Sequence, residues 1–215
     1  MTEPTTIVRD GSLWVFNKPA GMPVHAAQGL DDIDLITWAR AQGANVSPAH
    51  RLDRHTSGVV ICSESQSERA KFGRWFADGA IHKEYQALVY GRAPAGGTID
   101  RALNDGRRGR PLDAVTDYEC LGSFARFTWL QVTPRTGRKH QIRRHLRGIG
   151  HAVVGDDRYG PGRRYPVPGF PGRMWLHAHK LMLPDDRIFE APLPPELQTH
   201  LELLQRGGIA PADWD

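Results

Sequence analysis

What most constrains this chain is its punctuation. Gly and Pro supply 39 of its 215 residues, and most of them fall between short runs that read as strands or helices. Leu13-Trp14-Val15-Phe16 reads as a strand, stopped by Lys18-Pro19-Ala20-Gly21. Gly58-Val59-Val60-Ile61-Cys62 is a continuous apolar run of the kind that forms a buried strand. Residues 85–90, 114–121 and 124–132 are strand-like, rich in β-branched and aromatic side chains. Helices are expected over 33–42, with Ile33, Ile36 and Ala39 along one side, and after the capping-box pattern Ser65-Gln66-Ser67-Glu68. Phe72, Trp75 and Phe76 follow at helical spacing as core residues, and Gly79 is the expected stop. Two further helices are expected: 138–148, on an Ile142, Leu146, Ile149 stripe, and 196–205, through Leu197, Leu201 and Leu204. No regular β-α-β rhythm links these pieces. The expected fold class is therefore α+β, with a mixed, mainly antiparallel sheet and flanking helices.

A globular chain of this length buries about 70% of the surface its unfolded form exposes, enough for one sizeable core, so a single domain over 1–215 is expected. No apolar run approaches the roughly 20 residues that cross a bilayer, so no membrane association is expected. The first residues carry no basic or apolar leader, and Cys62 and Cys120 form no Cys-x-x-Cys motif. A cytoplasmic protein is the expectation.

Net charge is a modest +4, but its distribution is uneven. Residues 101–180 hold 16 Lys/Arg against 6 Asp/Glu, a local +10, while the remainder is −6. The densest stretch, 135–147, has six basic residues, two histidines and no acid. Such asymmetry points to a polyanion, nucleic acid first, with a solvated basic surface as the other reading.

One segment carries candidate chemistry. In His50-Arg51-Leu52-Asp53-Arg54-His55-Thr56-Ser57-Gly58, directly before the apolar run, an aspartate stands between two arginines whose positive charge favours the ionised carboxylate. A carboxylate on a loop leading into a rigid strand suits nucleophilic or base work. A structural Arg–Asp turn has the same residues, and the residues alone leave both open.

This segment resembles the signature motif of the RluA class of RNA pseudouridine synthases. Three further stretches resemble that family's motifs in its order: Lys18-Pro19-Ala20-Gly21-Met22-Pro23-Val24-His25, Lys83-Glu84-Tyr85-Gln86-Ala87-Leu88-Val89, and Gly137-Arg138-Lys139-His140-Gln141-Ile142-Arg143-Arg144-His145 through Gly155-Asp156. Leu176-His177-Ala178 resembles a late step of the same pattern. The resemblance spans about residues 7 to 192.

The resemblance implies a pseudouridine synthase catalytic fold with an RNA cleft, and isomerisation of uridine in RNA to pseudouridine. It implies no cofactor and no metal. Asp53 is implied as the essential carboxylate, Arg143 as the arginine that pairs with it, and Tyr85 as the ring against the target base. Arg51 is implied as an RNA contact near the vacated base position, and Leu176 as an apolar residue that helps exclude water. Extrusion of the target base from its stack is the expected prelude. A non-catalytic RNA-binding or RNA-chaperone module on the same scaffold is the alternative.

Basic residues outside the pocket are expected to meet phosphates, which position RNA without specifying sequence. The candidates are Arg54, His140, Arg144 and Arg147, with Arg107, Arg108 and Arg110 in a Gly-containing loop and Arg163 and Arg164 in a later one. His177-x-His179 and the His140, His145, His151 group raise a metal reading, but no Asp, Glu or Cys stands at ligand spacing, so no metal is expected. The expected partner is RNA, bound by a monomer. Because the family-like segment begins near Ile7, no S4-type RNA-binding domain is expected. The paired Arg143-Arg144 resembles the tRNA-directed TruC branch, which favours tRNA over large-subunit rRNA. His55 is given no role.

Overall fold

The computed structural model describes residues 2–25, 33–105, 109–162 and 165–207. The chain divides into two compact units, one of residues 1–85 and 177–192, the other of 86–176 and 193–215.

The first unit is built on strands β1 (Thr5–Asp10), β2 (Leu13–Lys18), β4 (Ser57–Ser63) and β11 (Leu176–Met182), hydrogen-bonded in that order. Strand β3 (Ser47–Pro48) pairs with β4, and β12 (Ile188–Glu190) pairs with β11. Pairing is antiparallel except between β4 and β11, which run parallel with His177 opposite Ser57 and Ala178 opposite Gly58. All seven residues of β4 are buried, because both sheet faces are covered. Successive side chains along a strand point to opposite faces. Trp14, Phe16, Val60 and Cys62 accordingly join Leu35, Ile36 and Ala39 of helix α1 (Leu35–Ala41) on one face. Leu13, Val15, Val59 and Ile61 join Phe72 of helix α2 (Gln66–Ala77) on the other.

Local sequence sets both helices, and α1 departs from expectation at its start. Helix α1 starts at Leu35 because the Asp34 side chain accepts the Thr37 N–H at 2.7 Å, which leaves Ile33 outside the helix and exposed rather than on the apolar side. Helix α2 is capped by Ser65, whose hydroxyl accepts from Glu68 N. The Glu68 carboxylate accepts from Ser12 Oγ at 2.8 Å and Ser63 Oγ at 2.7 Å, tying the helix to the sheet.

The second unit holds the latter part of β5 (His82–Tyr90), followed across the sheet by β10 (Phe127–Pro134), β9 (Val115–Phe124) and β6 (Gly96–Asp100). Strands β9 and β10 form a hairpin with a bulge between Trp129 and Leu130. A separate two-stranded ribbon pairs β7 (Leu103–Asp105) with β8 (Arg110–Leu112). Leu88, Phe127, Val154 and Trp175 pack with Leu197 and Leu201 of helix α4 (Pro195–Gln205). Helix α3 (Gln141–Gly148) is shorter than the 138–148 expected, because His140 takes a left-handed conformation, φ 54°, at its N-terminus. Ile142 and Leu146 are buried, whereas Ile149 lies past the last turn and is exposed. The architecture is α+β, as expected. No described helix is long and apolar enough to cross a membrane.

Candidate active site

The loop before β4 is fixed residue by residue. His50 is a structural residue: its Nε2 accepts the Ile61 N–H at 3.0 Å, and its ring lies 4.2 Å from that of Phe76. Burial, aided by the positive charge of Lys83 and opposed by a bond with the Arg51 backbone, pushes its pKa down to about 3. Three residues on, the Asp53 carbonyl accepts the Thr56 N–H at 3.1 Å and closes the turn. The Arg54 carbonyl accepts from Gly21 N at 2.9 Å and from Lys18 Nζ at 3.1 Å. Lys18 is wholly buried and also donates to the carbonyls of Pro19 at 2.9 Å and Met22 at 2.7 Å. One ammonium therefore binds the 19–22 turn to the loop that carries Asp53, and charge-assisted donors of this kind are the strong ones.

Beyond the loop, the chain must be glycine. Gly58 has φ +119°, and a Cβ there would lie 2.0 Å from the Ala178 carbonyl oxygen on the parallel neighbour β11. Ser57 Oγ and His177 Nδ1 are 2.8 Å apart, and His177 Nε2 donates to the Ala191 carbonyl at 3.1 Å. That carbonyl only accepts, so Nε2 carries a proton, and a neutral ring then accepts the Ser57 hydroxyl at Nδ1. His179 Nδ1 bonds the same carbonyl at 3.0 Å, so the His177-x-His179 pair has a structural task.

Tyr85 stands on β5, half-buried and packed against the cluster of Phe16, Leu35 and Val60. Burial first, and the negative charge of Asp53 second, raise its phenol pKa above the ordinary value of 10.0. Asp53 and Tyr85 are thus brought within electrostatic reach of one another. The phenol is neutral at physiological pH, able to stack and to donate a hydrogen bond but not to serve as a phenolate base. Asp53 itself is half-buried, with Arg51, Arg54 and His55 exposed around it.

In the second unit, helix α3 is fastened by the residues of its motif that lie on its inner side. Gln141 Oε1 accepts from Thr136 Oγ1 and Arg138 N, and its amide donates to the Val115 carbonyl and Thr116 Oγ1. His145 bridges Thr116 Oγ1 and the Arg101 carbonyl, both at 2.9 Å. Arg143 meets Asp156 through a two-pronged pair, Nε to Oδ2 at 2.7 Å and Nη2 to Oδ1 at 2.8 Å. Asp156 Oδ1 also accepts the backbone N–H groups of Arg158 and Tyr159. Burial alone would raise the Asp156 carboxyl, but the Arg143 bonds and the two N–H groups hold it below the ordinary carboxylate range. The Arg143 guanidinium lies 5.1 Å from the Tyr159 ring centre, and the Tyr159 hydroxyl is 3.0 Å from His140 Nδ1.

Asp156 and Tyr159 had no role in the sequence reading. The Gly155-Asp156 step is the sequence signal for the first, and the second lies in the same family-like stretch, Gly155-Asp156-Asp157-Arg158-Tyr159-Gly160. Leu176 is buried at the start of β11, its carbonyl accepting from Arg173 Nη2 at 3.3 Å. Arg144 is half-buried and Arg147 exposed. Arg110 is exposed on β8, while Arg107, Arg108, Arg163 and Arg164 lie outside the described residues.

Residues 12–147 match the family profile described as RNA pseudouridylate synthase. The chain belongs to that family. A pseudouridine synthase of Chloroflexus aurantiacus, itself named as uncharacterized, is 40% identical over 88% of this chain and 66% of its own length. The tRNA pseudouridine synthase C of Haemophilus ducreyi is 33% identical over 81% of this chain and 83% of its own. The ribosomal large subunit pseudouridine synthase C of Vibrio cholerae is 30% identical over 93% and 68%. Among solved structures, human RNA pseudouridylate synthase domain containing 1 superposes with a TM-score of 0.75 at 26% identity, covering 97% of this chain and 96% of that one. The RluA-class resemblance of the four motifs is thereby placed on a shared fold.

Proposed function

We propose that this pseudouridine synthase family member isomerises a specific uridine to pseudouridine in a structured RNA, with Asp53, Tyr85 and Arg143 as its catalytic residues. What supports this reading is the family match over residues 12–147, together with a Tyr85 phenol kept neutral by burial first and by the negative charge of Asp53 second. The reaction breaks the bond from ribose C1′ to N1, turns the uracil, forms a bond from C1′ to C5, and transfers the C5 proton away while N1 gains one. It is redox-neutral. Whether the carboxylate acts on the sugar or on the base, it must be ionised and held still. Lys18 supports the second requirement by anchoring the backbone next to Asp53.

Tyr85, neutral and half-buried, offers a face for the uracil to stack on. Arg143 is implied by its motif as the cation serving the carboxylate, and its guanidinium plane is oriented by Asp156 through Nε and Nη2. Arg51 and Arg54, exposed beside Asp53, suit phosphate or ribose contacts, with Leu176 keeping water from the base. Arg144 and Arg147, and the segment holding Arg107 and Arg108, supply positive charge for the RNA backbone, with the His140 ring as a further polar contact. The favoured substrate is tRNA. The tRNA-directed Haemophilus relative is matched over 83% of its length, against 68% for the rRNA-directed Vibrio relative.

The test is pseudouridine mapping of tRNA and of large-subunit rRNA incubated with the wild type and with Asp53→Asn. New pseudouridine in tRNA from the wild type alone is the expected result. Sites made equally by Asp53→Asn would refute the assignment of Asp53, and an inert wild type that still binds RNA would favour the non-catalytic module.

A further inference from the structure

A cavity of about 460 Å³ lies wholly within the second unit, away from the residues assigned above except for Arg147. Tyr90 at the end of β5, Phe127 at the start of β10 and Tyr165 form its aromatic side. Arg92, Arg126 and Arg147 supply three positive charges, and no Asp or Glu stands among its described lining residues. Arg147 lies four residues beyond Arg143 on α3, about 6 Å of helix rise.

The aromatic side is held in place. Tyr90 donates its N–H to the Ala152 carbonyl at 2.9 Å, its own carbonyl accepts from His151 Nδ1 at 3.0 Å, and it bonds the Gly155 backbone. Its ring has Phe127 behind it at 5.7 Å and Tyr165 beside it at 6.1 Å. The Tyr90 and Tyr165 planes are inclined at 48°, so they do not close on each other, and Tyr165 is 42% exposed. An aromatic ring this exposed beside fixed aromatics presents a face on which a base can stack. A bare phosphate would need only the arginines, and an apolar ligand would need none of them. A nucleotide uses both, since every base has a π-face and carries a phosphate beside it. The cavity's size also suits one, ligand sites running about 300–1,000 Å³.

We infer that this cavity is a second nucleotide subsite, in which an unpaired base of the substrate RNA, other than the isomerised uridine, stacks on Tyr165 while its phosphates meet Arg92, Arg126 and Arg147. The inference rests on the RNA-directed function proposed above. It adds a reason for selectivity, because only an RNA with a second splayed base in reach of α3 fills both places.

The test uses a fluorescein-labelled 12-mer of oligouridylate, with anisotropy read on the full chain carrying Asp53→Asn so that no turnover intervenes. Adding Tyr165→Ala is expected to weaken binding about 5- to 150-fold, the worth of one stacked base. Tyr165→Phe, which keeps the ring, is expected to bind like its parent. Arg147→Gln should lower the slope of log K against log salt by about 0.7. Equal affinities for the Tyr165→Ala and parent proteins would overturn the subsite. So would a change of oligomeric state in Tyr165→Ala seen by sedimentation. Pseudouridine formation by the wild type is measured in parallel. Activity without Tyr165-dependent binding removes only the subsite, and Tyr165-dependent binding without activity removes only the catalytic assignment.

Discussion

Removing the Asp156 carboxylate should cost more than any exposed charge in this protein. Arg143 is 8% exposed and Asp156 6%, so the pair is out of water and the small figures typical of surface ion pairs do not apply. Truncating one partner leaves an uncompensated buried charge, at about 3–5 kcal/mol. Asp156→Ala also strips the backbone N–H groups of Arg158 and Tyr159 of their acceptor. For a chain of this size each kcal/mol moves Tm by about 2–4 °C, so Asp156→Ala should melt about 6–20 °C below the wild type in a thermal scan followed by circular dichroism. Asp156→Asn keeps an acceptor for the two N–H groups and should fall less far. The decisive control is Asp156→Leu combined with Arg143→Met. A buried pair replaced by apolar residues can be neutral or stabilising, so the double variant should melt above Asp156→Ala. If Asp156→Ala melted with the wild type, or the double variant melted no higher than the single, the buried-charge reasoning would be refuted.

Two further perturbations have outcomes set by single residues. His50 stays neutral in the folded chain down to about pH 3, whereas the unfolded chain protonates it near 6.5. Its contribution to stability is therefore complete above pH 6.5 and is lost as pH falls toward 3, at up to about 1.4 kcal/mol per pH unit. His50→Gln, which retains an acceptor for Ile61 N–H, should flatten urea midpoints plotted against pH between 6.5 and 4, and an unchanged curve would contradict it. Gly58→Ala meets both a positive φ and the Ala178 carbonyl, while Gly21→Ala at φ +84° meets no neighbouring atom. Gly21→Ala should cost the roughly 1–3 kcal/mol of backbone strain and Gly58→Ala clearly more, with equal Tm losses counting against the close approach.

The sequence made the buried centre legible and the edges obscure. Val59, Val60, Ile61 and Cys62 form an uninterrupted apolar run because both faces of β4 are covered, and that pattern is readable without a structure. Strand β1 escaped notice because it lies at the sheet edge, where Thr5, Thr6, Arg9 and Asp10 are exposed and no alternation is imposed. Ile33 and Ile149 mimic core residues in a periodicity plot, yet a cap at Asp34 and a helix ending at Gly148 leave both in water.

The candidate site divides the same way. Asp53, Tyr85 and Arg143 were identified by motif, but what fixes them was not. Nothing in the sequence shows Lys18 buried against three carbonyls, two from the 19–22 turn and one from the loop of Asp53. Asp156 is thirteen residues from Arg143, a separation no helical or strand period predicts.

Asp53 is proposed to drive exchange of a C–N for a C–C bond at uridine, and the proton lost from C5 reports that event directly. With tRNA carrying tritium at uridine C5, the wild type should release tritium to water up to a fixed number of equivalents per RNA. Asp53→Asn should bind the same RNA and release none. Release by Asp53→Asn at the wild-type rate would contradict the role given to Asp53.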